Sequence, residues 1–171
     1  MQTGIKIIWT FVITLSLTVL FPRESKAQRL AVSTNALEYL VLSPNITIDA
    51  AFSRHHAVSV SVSACPWEYS ENTYLRHFTW SPEYKYWLTM LFYRSYIGGK
   101  LLYSSYDLGT KNLSKKGIVT AVLADYGYSF IFSKRFNVIP SVGLGAGYNF
   151  AETNKIVPVV SIGVNAQIVL K

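Results

Sequence analysis

The chain has 171 residues, 50% of them hydrophobic, 15% aromatic and 15% charged, with a formal net charge of +7. That length suits one domain. The hydrophobic content excludes a disordered chain, and the single cysteine, Cys65, excludes a disulfide scaffold. Mean hydropathy is positive, the usual mark of membrane helices. Yet beyond Phe21 no apolar run approaches the ~18 residues that a spanning helix needs.

Residues 1–27 read as a secretory signal peptide. Lys6 supplies the positive start, Ile7 to Phe21 carry no charge, and Ser25 and Ala27 are the small residues that a signal peptidase reads. Cleavage after Ala27 leaves residues 28–171 as one domain. An uncleaved anchor is the rival reading, but the apolar run is short for a span. No cysteine follows the site, so the signal is not that of a lipoprotein. For an exported chain the basic excess is scattered turn and loop charge, and no nucleic-acid partner is expected.

From residue 30 onward the period is two, as in strands with two unlike faces. Leu30–Leu42 is the first predicted strand; its phase shifts near Asn35, as a bulge would make it. In the second, Ile46, Ile48, Ala50 and Phe52 oppose Thr47, Asp49 and Ser53. In the third, Val58, Val60 and Val62 oppose Ser59, Ser61 and Ser63. In the fourth, Phe78, Trp80, Tyr84 and Tyr86 oppose His77, Glu83, Lys85 and Trp87. The fifth, Tyr93–Tyr103, sets Ile97 and Leu101 against Arg94, Tyr96 and Lys100. The sixth sets Ile118, Val122, Tyr126 and Phe130 against Gly117, Asp125 and Gly127. The seventh and eighth, Phe136–Phe150 and Ile156–Leu170, are the longest clean alternations. Ser53–His56 and Ser133–Arg135 are tight polar turns; Pro66–Leu75, Tyr106–Lys116 and Asn149–Lys155 are longer polar loops. Leu88–Phe92 is an oddly apolar turn, and Ser43-Pro44-Asn45 is short where a long loop is expected.

One face of these strands is bulky and apolar; the other holds Gly, Ser, Ala, Asn and a few charges. An eight-stranded barrel is just wide enough inside for side chains. Eight bulky stripes fit poorly there, so the apolar faces belong outside, in lipid. Closure follows, because an open edge in hydrocarbon leaves costly unpaired backbone groups. The predicted fold is an all-β, eight-stranded antiparallel up-and-down transmembrane β-barrel. A secreted lipocalin-like barrel needs the opposite partition.

Several stretches carry a resemblance: Ser33-Thr34-Asn35-Ala36-Leu37, Pro66-Trp67, Pro82-Glu83-Tyr84-Lys85-Tyr86-Trp87-Leu88, Tyr126-Gly127-Tyr128, Lys134-Arg135-Phe136-Asn137 and Gly143-Leu144-Gly145-Ala146-Gly147-Tyr148. The chain resembles the small outer-membrane barrels of Bacteroidetes grouped as domain of unknown function 3575. The Pro-Glu-x-basic-Tyr-Trp run is the most specific part. The resemblance implies a bacterial outer-membrane barrel and brings no known activity.

Asp49, Glu83, Lys85, Arg94, Lys100 and Asp125 fall on the small-residue face, with Glu38 joining them if strand one is bulged. Charges in a narrow lumen are costly unless paired. A lumen polar network is therefore expected, centred on Glu83, Lys85 and Arg94 and acting as a structural plug. A gated pore is the functional alternative. His77 faces inward and could meet Ser63, the only opening for a hydrolase; no nucleophile-elbow motif is present, and no enzyme is expected. His55 and His56 point to opposite faces and make a poor metal site, so neither metal nor cofactor is expected. Gly143, Gly145 and Gly147 alternate within a strand. They read as a thinned wall opposite Trp87 and Tyr96, not as a nucleotide loop. Trp67, Tyr69, Tyr74, Lys111, Lys115 and Lys116 are candidate surface-loop contacts for a glycan, lipopolysaccharide or protein partner. The expected setting is outer-membrane lipid, with an extracellular ligand or envelope protein as the second partner class.

Overall fold

The computed structural model describes residues 29–70, 73–110, 113–150 and 155–170. The signal segment and its cleavage after Ala27 lie outside them, as does Lys111. The elements are β1 (Arg29–Asn35), α1 (Ala36–Tyr39), β2 (Asn45–Ala51), β3 (His56–Cys65), β4 (Glu68–Ser70), β5 (Thr73–Trp87), β6 (Arg94–Thr110), β7 (Leu113–Ile131), β8 (Phe136–Asn149) and β9 (Lys155–Val169). Each long strand pairs antiparallel with its sequence neighbour, and β1 pairs with β9 to close the ring. The three-residue β4 follows the Pro66-Trp67 interruption and pairs with the start of β5, outside the count of the ring. The result is the expected eight-stranded antiparallel barrel.

Turns at 52–55, 88–93 and 132–135 lie at the barrel end that holds Arg29 and Val169, here called the near end. The other ends of the strands, with α1 and β4, lie at the far end. The near turns are tight: Phe52 N–H donates to the His56 carbonyl at 3.1 Å, and Phe132 N–H to that of Phe136 at 3.0 Å.

The partition of faces is as expected. Ile48, Val60, Trp80, Ile97, Val122, Leu144 and Val160 stand exposed on the outside. Asp49, Ser59, Ser63, Glu83, Lys85 and Asp125 are buried inside. Alternation turns a sequence pattern into an inverted protein, with its apolar surface outward and its charge at the centre.

Several expectations need correction. Pro66–Leu75, expected as a polar loop, contains β4 and the first three residues of β5. The first strand does not continue to Leu42 through a bulge. It stops at Asn35, whose side-chain carbonyl accepts the Leu37 N–H at 3.2 Å and caps α1, while its amide donates to Glu38 Oε1 at 3.1 Å. This side-chain cap competes successfully with the strand. The stretch Tyr106–Lys116 is not a polar loop. Its described residues are the paired arms of the β6–β7 hairpin, in register from Arg94↔Ser129 to Thr110↔Leu113. Finally, the glycine opposite Tyr96 is Gly127, and Gly143 makes room for Asp125; a Cβ at either would run into those side chains.

The odd apolar turn is a plug. Leu91 and Phe92 fold into the near mouth and pack with fully buried Trp87, with Tyr96 and with Ile139. The Phe92 ring meets Trp87 edge-on at 5.6 Å. Phe92 and Arg94 adopt left-handed backbone, with φ of 59° and 58°. That costs about 1–2 kcal/mol each. The Phe92 carbonyl is held by Ser129 Oγ at 2.9 Å and Asn137 Nδ2 at 3.3 Å.

Candidate functional site: the charged lumen

Register builds the site. Asp49 on β2 lies beside Ser59 on β3, Ser59 beside Glu83 on β5, and Glu83 beside Lys100 on β6. Lys85 follows Glu83 on the same face, and Asp125 enters from β7 beside Gly98. Lys85 Nζ sits 2.8 Å from Asp49 Oδ1 and 3.7 Å from Glu83 Oε2. Lys100 Nζ sits 2.7 Å from Asp125 Oδ2 and 3.9 Å from Glu83 Oε2. The Lys100–Asp125 contact is a close ion pair. Glu83 thus lies between two ammonium groups, each of which also holds an aspartate.

Neutral groups complete the cluster. Gln167 Nε2 donates to Asp49 Oδ2 at 3.0 Å, and the Ser59 hydroxyl donates to Asp49 Oδ1. Gln167 in turn accepts from Asn137 Nδ2 at 3.3 Å, which ties the ions to the aromatic plug. Lys85 also lies over the Tyr96 ring, 5.2 Å from its centroid. Gln167, Ser59 and Tyr96 were readable as inward by phase, but nothing in their spacing marked them as partners.

Five of the six expected network residues come together. Arg94 does not. Its positive φ breaks the alternation at the start of β6, and the side chain stands exposed over Tyr93, 5.4 Å from the ring centroid. Glu38 reaches the lumen from α1 instead of from a bulged strand, and its Oε2 is buried without a hydrogen-bond partner among the described residues.

On the far side of the ions lies a cavity of about 100 Å³. Serine, threonine and asparagine supply half of its lining, including Ser33, Asn45, Thr47, Ser63 and Asn165. The expected meeting of His77 and Ser63 occurs at 3.4 Å, between Nε2 and Oγ. No carboxylate among the described residues hydrogen-bonds to that pair, so the third group of a hydrolytic triad is not in place. His55 Nδ1 bonds the Trp87 carbonyl at 2.8 Å and His56 Nδ1 bonds the Tyr84 hydroxyl, so both serve the near turn.

The candidate surface contacts are spread over β4, β5, β7 and the stretch just before β4. Trp67 is half-exposed, with its indole N–H on the Leu42 carbonyl. Tyr74, Lys115 and Lys116 lie on strands β5 and β7, Lys116 opposite Asp107 in register. The backbone of Tyr69 belongs to β4, and its side chain lies outside what the structure describes.

A family model described as protein of unknown function, DUF3575, matches residues 9–166. The chain belongs to this family. Among solved structures, Neisserial surface protein A is similar, with a TM-score of 0.50 and 12% identity. The likeness covers 82% of this chain and 94% of that one. At that identity the likeness concerns the fold alone. No curated protein matches the chain.

Proposed function

We propose that this DUF3575 member is a non-enzymatic envelope protein of the bacterial outer membrane, anchored there by a barrel whose lumen is sealed by ions and aromatics. The observation that carries this reading is the inverted partition. Asp49 is 0% and Lys85 6% exposed, while Ile162 is 65% and Val122 63% exposed. In water that arrangement wastes apolar burial and pays ion desolvation; in lipid the outer face is solvated by hydrocarbon. Belted tyrosines and tryptophans such as Trp80, Tyr103 and Tyr148 suit interfacial girdles.

The test is gel mobility of unheated against boiled protein from fractionated cells. A heat-dependent shift confined to the outer-membrane fraction is expected. Identical mobility, or recovery in the soluble periplasm, overturns the reading. Surface recognition of an extracellular ligand or envelope protein is the second reading, favoured by the half-exposed Trp67 at the far rim. Loss of a partner on replacing the far connections would support it.

A further inference from the structure

The barrel wall is uneven. β6 and β7 hold 17 and 19 residues, whereas β1 and β2 hold seven each. A tilted spanning strand needs ~9–11. β1 leaves the sheet at Asn35, and its pairing with β9 runs only from Ala31↔Val169 to Asn35↔Asn165. From Val164 out to Lys155, β9 is paired to β8 alone among the described residues. Asn35 Oδ1 accepts the Val164 N–H at 3.1 Å and covers the first open position. Residues two apart share an edge. Ile162 and Val160 therefore present N–H groups to the same gap, while Pro158 has none to present.

An open edge cannot face hydrocarbon. Something polar must reach it. The lumen cavity does. Its lining runs along both flanks of the gap, through Ser161 and Gly163 on one side and Asn45 and Ser63 on the other. Ile162 lines it too, although its side chain points outward and is exposed. Beside the gap, α1 packs on β9 and leads into Leu40 and Leu42, which stand exposed. Glu38 Oε2, buried and without a hydrogen-bond partner among the described residues, belongs to the same cavity.

We propose that the missing outer half of β1 forms a hydrated lateral portal at which an ammonium-bearing lipid head group enters the lumen cavity. Its acyl chains lie against Ile162, Val160 and Leu42. The ammonium supplies the donors that Glu38 Oε2 lacks, and the edge N–H groups take the phosphate or ester oxygens. This rests on the outer-membrane reading above.

The test uses the folded barrel in nanodiscs, in a Cys65→Ala background. Ile162→Cys is compared with Val142→Cys. These two are register partners on adjacent strands, one at the gap and one within the sheet. A charged, water-soluble thiol reagent is expected to modify Ile162→Cys at least roughly tenfold faster, because hydrocarbon excludes ions. Equal slow rates overturn the portal and leave the membrane reading intact. Equal fast rates overturn the membrane reading itself. In phosphatidylglycerol nanodiscs, adding phosphatidylethanolamine is expected to slow modification of Ile162→Cys about threefold, with Glu38→Gln abolishing that protection. Equal rates with and without phosphatidylethanolamine overturn the head-group assignment.

Discussion

The two halves of the lumen solve the same problem differently. The near half is filled. Trp87, Phe92 and Tyr96 close the mouth, and above them each cation touches two carboxylates. The far half is lined with small hydroxyl and amide side chains around a cavity. Both halves come from the same alternating pattern with small inward residues, so alternation alone did not decide which would be solid. Long side chains at a few inward positions did. The near half holds the ion contacts, and the far half holds neutral hydrogen bonds such as Thr47–Ser61 and Thr79–Ser104.

The sharpest way to break this comparison is Asp49→Ala. It removes the acceptor shared by Lys85, Ser59 and Gln167 and strands a buried ammonium. A loss of about 3–5 kcal/mol is expected, read from urea unfolding in detergent by tryptophan fluorescence. Glu83→Ala acts in the same direction. Unchanged unfolding in either variant would mean that the ions do not hold the near half. Trp87→Ala empties the plug and is also expected to cost about 3–5 kcal/mol in the same assay. Gly127→Ala drives a methyl into Tyr96 and should cost about 1–3 kcal/mol; combining it with Tyr96→Ala should relieve much of that added cost. In the far half, Ser81→Ala, two residues before Glu83 on β5 and lining the cavity, is expected to stay within about 0.5 kcal/mol. A large loss there would erase the distinction. The smallest effect is a gain: Arg94→Gly relieves left-handed backbone and should add up to about 1 kcal/mol, visible as a later urea midpoint.

The outward apolar surface was legible because a period of two survives across every long strand. The lumen ions were legible for the same reason, since phase places Asp49, Glu83, Lys85, Lys100 and Asp125 inside without knowledge of register. Arg94 failed because phase counting assumes an unbroken strand, and a positive φ at Phe92 and Arg94 resets it. α1 was missed although its signal was present: Asn35 followed three residues later by Glu38 is a helix-start pattern, and a reading tuned to alternation passed over it. The gap beside β9 lies beyond local reading. It depends on where β1 stops relative to a strand some 130 residues later in the chain, as the Asn35↔Asn165 pair shows.

That seam has a kinetic side. β1 and β9 join the two ends of the barrel domain through five register pairs, whereas β6 and β7 share seventeen. Hairpins between sequence neighbours close short loops, but the seam closes nearly the whole chain, and the entropic cost of closure grows with loop length. Sheet growth from the β6–β7 hairpin outward therefore leaves β1–β9 as the last step of assembly. With β1–β2, which also holds five register pairs, it is one of the two shortest pairings of the ring. An assembly factor that held β1 and β9 apart would hold the whole barrel open at the cost of five pairs.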